Sequence, residues 1–352
     1  METFPSVYNA LYLWKKRGWH NSIATTSGCD GFHDYIDQVY PVTGKWTQVA
    51  RQLAGMDHRF DVMIVYEPAD VEAFSLSTLY GANWKYRHLL HHSLEVPAHL
   101  DHIDSIKKYF HKLLFQYGLN KTDNIIIQDS VRLNVLEKIF PNVKMIKSTF
   151  VPNTYIESIE PISDQLPWFD RIREKSKPLV LYTGAIERWA LSADILESIK
   201  EMEEASFLFS GWSRDGFLEE LEKKYKGHTN IYFHGGIKSR TDLNYMVSKS
   251  DIGLAYYIML DDNVRYIGMS SGKINKYLTY GKPVVVNKMQ DIASIMEEKA
   301  FGKSATIETM AGSINHIMEN YEMYRQNIRE KFLKEYDFEA PYLKLIDELD
   351  KN

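Results

Sequence analysis

The chain is short of cysteine: Cys29 is the only one in 352 residues. One thiol excludes a disulfide within the chain and any multi-thiolate metal site, and it fits a reducing compartment. Cys29 itself reads as a small apolar filler. Long apolar runs are absent too. Nothing approaches the roughly 20 residues that cross a bilayer, and Met1–Ala10 lacks a basic segment followed by an apolar one. The expectation is a soluble, cytoplasmic protein. Nor is there an excess of positive charge: 42 Lys and Arg stand against 47 Asp and Glu, a formal net charge of -5. No global field therefore draws the chain to nucleic acid or to an anionic membrane. GxGxxG, HExxH and cysteine-histidine clusters are missing. The segment around Gly272-Lys273 falls short of a nucleotide-triphosphate loop, with Ile267 where glycine and Ile274 where a hydroxyl residue would stand.

What is there suits a large core in more than one domain: 44% hydrophobic and 25% charged residues, over a length above the usual single-domain range. The first half alternates apolar runs with helical stretches, the pattern of βα units around a parallel sheet. Tyr8 to Arg17 has helical spacing and Asn21 to Thr26 reads as a strand. Strands are expected at Phe60 to Tyr66, Tyr86 to His92, Asn124 to Gln128 and Val143 to Ile146, with helices at Asp104 to Tyr117 and Arg132 to Phe140. A domain of this kind normally opens with a strand and a glycine-bearing loop, whereas Thr3-Phe4-Pro5 reads as already inside that loop. Either the first strand is missing or the sheet starts differently. Pro152, Pro161, Pro167 and Pro178 punctuate a stretch without sustained periodicity, so 153–177 reads as a linker between domain 1–152 and domain 178–334. The second domain repeats the alternation, with strands at Pro178 to Thr183, Ser206 to Gly211, Asn230 to His234, Asp251 to Tyr257 and Pro283 to Asn287. Helices follow to the end, and 335–352 is expected to pack back on the first domain. Two doubly wound, Rossmann-like sheets of this kind bind ligands beyond the carboxyl ends of their strands, here expected to face a central cleft.

The sharpest chemical feature is Ser270-Ser271-Gly272-Lys273-Ile274-Asn275-Lys276-Tyr277-Leu278-Thr279-Tyr280-Gly281-Lys282-Pro283. Ser270 or Ser271 caps a helix, and Gly272 lets a ligand approach the backbone. Lys273 falls in the first turn, where free amides and the helix dipole favour an anion. The alternatives are a cradle for a diphosphate and a surface lysine on a capped helix. Gly281 and Pro283 end the helix.

SSGKINKYLTYGKPVVV resembles the S-x-K-x-x-E-Y-L-x-x-G-K-P-V-V signature of GT-B glycosyltransferases that build cell-surface polysaccharides and glycolipids. Leu181 to Trp189 is similar to the family's Y-x-G-A-I-x-x-W turn, Val151-Pro152-Asn153 to its V-P-N junction, and Asn230 to Gly235 to its N-V-x-F-x-G strand. The resemblance covers nearly all of 151–337 and implies the α/β GT-B fold and a hexosyltransferase-type reaction. A sugar would move from a nucleotide-sugar donor to a glycan or lipid-linked glycan acceptor. The implied donor residues are Gly184, Ser271, Gly272, Lys273, Asn275, Lys276 and Tyr277, with Arg188 as a second cation or else a solvated helix-start residue. No metal and no cofactor beyond the donor substrate are implied. Trp189 and Trp212 read as pocket lining or as core. Two positions depart from the family: Gly268 and Lys276 stand where many retaining members carry acids, one of which binds the nucleotide ribose.

On the acceptor side, His92 and Glu95 end an apolar strand and are the residue types that deprotonate a hydroxyl, or else are ordinary loop residues. Gln128, Asp129, Ser130 and Arg132 touch acceptor or cap a helix. Asp261 and Asp262 read as a solvated loop rather than a metal pair. Trp14-Lys15-Lys16-Arg17 with Trp19 is either a peripheral membrane contact or an exposed helix face. The competing functions are a nucleotide-sugar epimerase of the same fold and a non-catalytic sugar-nucleotide-binding protein.

Overall fold

The structure is a computed structural model that describes residues 5–26, 33–56, 59–173, 177–237, 239–259 and 262–351, without the side chains of His33, Asp262 and Gln290. Cys29 and Asp261 lie outside the described residues. The chain divides into two compact units, Met1–Asn153 with Phe338–Asn352, and Thr154–Asp337.

The first unit opens with α1 (Pro5–Lys16), whose residues from Pro5 to Leu11 are all buried. β1 (Ser22–Thr25) and β2 (Gln38–Pro41) form a parallel pair. Then come α2 (Trp46–Ala54), β3 (Arg59–Val65), α3 (Pro68–Leu79), β4 (Lys85–His92), α4 (Ile106–Leu119), β5 (Asn124–Ile127), α5 (Ser130–Ile139) and β6 (Lys147–Phe150). Strands β3 to β6 make a parallel sheet in sequence order. Unbroken apolar runs make its central strands: Ile125, Ile126 and Ile127 are wholly buried because helices cover both faces of a parallel sheet. Helix starts follow capping chemistry, with Ser105 Oγ accepting from the Lys108 amide and Asp129 Oδ1 from the Arg132 amide.

One expected strand is displaced. Val143 to Ile146 was read as extended, whereas Pro141–Met145 is a 3-10 turn and the strand is Lys147–Phe150. Proline at the turn's start is pre-set for helical φ, and Val143 serves as a buried plug. The edge strand itself carries Lys, Ser and Thr, so pairing with β5 rather than hydrophobic pattern makes it a strand.

The second unit begins inside the stretch expected to be a linker. Thr154 Oγ1 donates to the Tyr336 carbonyl, and α6 (Pro167–Arg173) sinks Phe169 completely into the core. A parallel sheet in the order β12-β11-β10-β7-β8-β9 follows. Its elements are β7 (Leu179–Ala185), α7 (Ala193–Ile199), β8 (Ser206–Trp212), α8 (Phe217–Tyr225), β9 (Ile231–Gly235), α9 (Arg240–Lys249), β10 (Ile252–Ala255), α10 (Asp262–Arg265), α11 (Gly272–Thr279), β11 (Val284–Asn287), α12 (Gln290–Glu298), β12 (Gly302–Ala305), α13 (Met310–Glu319), α14 (Tyr321–Asn327) and, after a π turn, α15 (Leu333–Glu335). Strand order reverses between β7 and β10, the switch point at which doubly wound sheets take ligands. The chain then returns to the first unit as α16 (Glu339–Leu349), which buries Tyr342, Leu345, Ile346 and Leu349, each worth about 1.5–3 kcal/mol. Tyr342 also accepts a hydrogen bond from Trp14 Nε1 at 3.3 Å.

Candidate functional site

At the carboxyl end of the second unit's sheet, three glycines stand in register on neighbouring strands: Gly184 of β7, Gly211 of β8 and Gly235 of β9. The row leaves bare backbone where side chains would otherwise stand. At Gly211 the approach is absolute, since a Cβ would lie 1.6 Å from the Gly184 carbonyl oxygen; Gly184 adopts φ +124°, open in practice only to glycine.

Lys273 stands over this ledge. A Cβ placed on Gly184 would lie 3.5 Å from its Nζ. The ammonium rests 3.9 Å from the centroid of the Tyr182 ring and 5.4 Å from that of Tyr257, with no carboxylate paired to it among the described residues. Desolvation by this aromatic surround pulls its pKa from the usual 10.5 to about 7. The residue opens α11, whose N-cap is Ser271: its Oγ accepts from the Ile274 amide at 3.1 Å and also contacts the Tyr257 hydroxyl. The amides of Gly272 and Lys273 have no partner among the described residues. Unbonded amides, a helix's positive end and an unpaired ammonium beside bare backbone form a socket for an anion with several oxygens.

The other expected donor residues on α11 face inward. Lys276 is buried, with Nζ 2.6 Å from Glu160 Oε2, 2.7 Å from Asn244 Oδ1 and 3.6 Å from the Tyr155 ring centroid. Burial lowers its pKa to about 8 against the pull of Glu160. Glu160 is also held by Arg240, and although burial opposes its charge, Lys276 and Arg240 keep its carboxyl below the usual range. Asn275 is fully buried and donates to the Met269 carbonyl at 2.7 Å. Tyr277, also fully buried, donates to the Leu181 carbonyl at 2.6 Å. The 3.6-residue period explains all three, since only positions 272 and 273 lie at the helix's open end. Arg188 is exposed and bound to Glu220 at 2.5 Å and Asp215 at 3.4 Å, so both faces of its guanidinium are engaged. Trp189 and Trp212 are 50% and 41% exposed, not core, and lie 6.4 Å apart by centroids.

A cavity of about 310 Å³ opens beyond the last glycine of the row, lined by Trp168, His234, Gly235, Gly236, Ile237 and Met246 among others. Trp168 and His234 stack there, centroids 3.7 Å apart and ring planes nearly parallel.

The first unit corrects the acceptor-side expectations. His92 lies inside β4 and is 1% exposed, packed 5.2 Å from the Tyr66 ring and 6.0 Å from Tyr342 by centroids. Burial, with His91 beside it, pushes its pKa down to about 3. It is a neutral core group. Glu95 is exposed, three residues past the strand's end. Its loop is pinned from below: buried Gln128 donates to the Ser93 carbonyl at 2.7 Å, and buried Arg132 to the Leu94 carbonyl at 3.0 Å. Asp129 caps α5, as its residue type allows.

Glu67 is the group sequence reasoning passed over. It follows β3 at the sheet's carboxyl end, half-buried, and its Oε1 has no hydrogen-bond partner among the described residues. Burial first, then Glu95 and Asp70, raise its pKa to about 8, while Arg132 opposes the rise. The available signal was a carboxylate directly after the largely apolar run FDVMIVY.

No protein-family model matches the sequence, and no curated protein does. Solved structures do match. HepE of Anabaena, solved with UDP and glucose, superposes with a TM-score of 0.69 at 11% identity, covering 99% of this chain and 96% of that one. Sucrose-phosphate synthase of Thermosynechococcus elongatus gives 0.65 at 12%, over 98% and 92%. A putative UDP-N-acetylglucosamine 2-epimerase of Listeria monocytogenes gives 0.63 at 14%, over 98% and 92%. The chain has the GT-B fold. Where the GT-B resemblance led one to look for acids, at Gly268 and Lys276, Gly268 adopts φ +38° in a 3-10 turn and Lys276 is neutralised from within by Glu160. Among the described residues no cluster of three or more His, Cys, Asp or Glu could hold a metal ion, and no helix is long and apolar enough to cross a membrane. Nor do Trp14 to Arg17 make a free basic face: Trp14 is buried, and Lys15, Lys16 and Arg17 pair with Asp37, Glu339 and Asp347.

Proposed function

We propose that the protein is a glycosyltransferase that takes a nucleotide-diphosphate sugar in its second unit and a hydroxyl acceptor, glycan or lipid-linked, in its first. The observation that carries this reading is the unpaired Lys273 ammonium beside Gly184 at the open end of α11. As the sugar–phosphate bond breaks, negative charge collects on the departing diphosphate, and donors already aimed at that place stabilise it without reorganising. The cation and two amides offer this without a metal. The cavity beside the stacked Trp168 and His234 has the flat aromatic wall that suits a planar base. On the acceptor side Glu67 and Glu95 replace His92 as the groups that take the hydroxyl proton; a carboxyl with a pKa near 8 is matched to that task. The likeness to HepE, solved with UDP and glucose, makes UDP-glucose the first donor to try. A cytoplasmic location fits the single cysteine.

The test is calorimetric titration of the purified chain with UDP, ADP and GDP, followed by incubation with their sugars. Binding of one diphosphate in the micromolar range, weakened about 10- to 100-fold by Lys273→Met, supports the reading; no binding tighter than about 1 mM to any of them overturns it. The Listeria likeness favours a second reading, epimerisation of the nucleotide sugar. An epimerase converts donor without any acceptor present, so following the sugar alone separates the two.

A further inference from the structure

The carboxyl end of the second unit's sheet holds the Lys273 socket; the opposite, amino end gathers a separate excess of positive charge, where β7, β10 and β11 begin side by side. The β10–β11 register, Gly253 with Val284, carried back two residues sets Asp251 beside Lys282. Arg173 forks onto Asp251, Nη1 to Oδ2 at 2.9 Å and Nη2 to Oδ1 at 3.2 Å, and the Leu179 amide donates to Oδ2 at 2.7 Å. That carboxylate is fully engaged. Arg325 of α14 and Arg329 of the π turn after it converge on Gly281: a Cβ there would lie 4.0 Å from Arg325 Cγ and 3.8 Å from Arg329 Nε. A cavity of about 350 Å³ opens at this edge, lined by Arg173, Lys177, Pro178 and Asp251.

The charges at this edge do not balance. Among the described residues Lys282 and Arg329 have no ion-pair partner, Arg325 reaches only the exposed Glu322 at 3.5 Å, and Lys177 bonds to the neutral carbonyl of Glu203. Helix-end chemistry accounts for one of these cations, since the carbonyl end of α11 attracts positive charge at position 282. It does not account for Arg325 and Arg329, because like charges one turn apart on a helix repel. Burial first, then Arg325, Arg173 and Arg329, lower the Lys282 pKa to about 8 against the pull of Asp251. We propose that this edge is a second anion site, separate from the Lys273 socket, for a compact phosphate-bearing ligand. Lys282 and Arg329 supply uncommitted charge, Lys177 gives up only a neutral acceptor, and the cavity has the size of a small-molecule site. α11 lies between the two sites, eight residues and about 12 Å long. The inference rests on the amino end of this sheet and stands whether or not the protein transfers sugars.

The experiment is calorimetric titration of the full chain with inorganic pyrophosphate at fixed ionic strength. The chain carries Lys273→Met, which takes the cation out of the other socket. Saturable binding tighter than about 1 mM is expected, weakened about tenfold or more when Lys282→Met is added. Lys282 is half-buried, so the pair Lys177→Gln and Arg329→Gln, both at exposed positions, repeats the test without disturbing the interior. No saturable binding tighter than about 5 mM, or affinity unchanged in either variant that folds, overturns the proposal. Such a result leaves the donor reading standing, because that reading is tested with nucleoside diphosphates on the chain with Lys273 intact.

Discussion

Lys273 and Lys276 sit one turn apart on the same helix, and both are pulled below the ordinary lysine pKa by burial, yet they differ in every other respect. Lys276 has a carboxylate, an amide oxygen and an aromatic ring arranged around it. Lys273 has only aromatic rings and bare backbone. A buried charge with its partners in place is architecture; one without them is where the proposed diphosphate would supply the counter-charge.

The sharpest way to break that comparison is Glu160→Ala. It strands Lys276 and Arg240 in the interior and is expected to cost about 3–5 kcal/mol in urea unfolding; a loss under about 1 kcal/mol would mean the network is decorative. Gly211→Ala probes the ledge that Lys273 overhangs. Its Cβ meets the Gly184 carbonyl oxygen, so the expected cost is about 3 kcal/mol, read from the same transition. Lys273→Met should do the reverse of Glu160→Ala. The unfolding midpoint stays or rises, because a desolvated amine is replaced by an apolar chain of similar length. Affinity for a nucleoside diphosphate falls about 10- to 100-fold by calorimetry, the loss of one charge-assisted contact of roughly 1.5–3 kcal/mol.

Protons distinguish the two lysines more finely. From about pH 7 to 10.5 the unfolded chain carries a proton on residue 273 that the folded chain lacks, so stability rises with pH across that window. A bound diphosphate restores the proton. At pH 8, titrations in buffers of different ionisation enthalpy should show uptake of a fraction of a proton, absent in Lys273→Met. Glu67 runs in the opposite direction. Its folded pKa is raised from 4.5 to about 8, so the folded chain holds the extra proton and stability falls with rising pH between those values. Glu67→Gln removes that decline, and unfolding curves at pH 5 and pH 8 check it.

The fold was largely legible because buried parallel strands write themselves as unbroken apolar runs: NIII, PLVLYT, SFLFSG and PVVVN all became strands. Strand β6 was misplaced because its sequence is polar and its pairing is imposed from outside. The linker was misread because prolines announce irregular backbone, and they say nothing about whether Phe169 or Glu160 points into a core. Within the candidate site, Ser271, Gly272 and Lys273 were readable from helix-start chemistry. Lys276, Asn275 and Tyr277 were not, since a motif gives spacing while the helix decides which side each residue faces. His92 was lost for a related reason: it lies within its strand, so alternation and helix cover bury it. Glu67 was missed because its significance lies in what fails to bond to it.

The return of α16 to α1 sets an order of events during synthesis. All residues of the second unit have left the ribosome once Asp337 has emerged, while the first, begun earlier, still lacks Tyr342 and the apolar face around it. The earlier-encoded half therefore cannot complete its packing from its own first stretch of chain, and its α1 surface stays uncovered until α16 has been made.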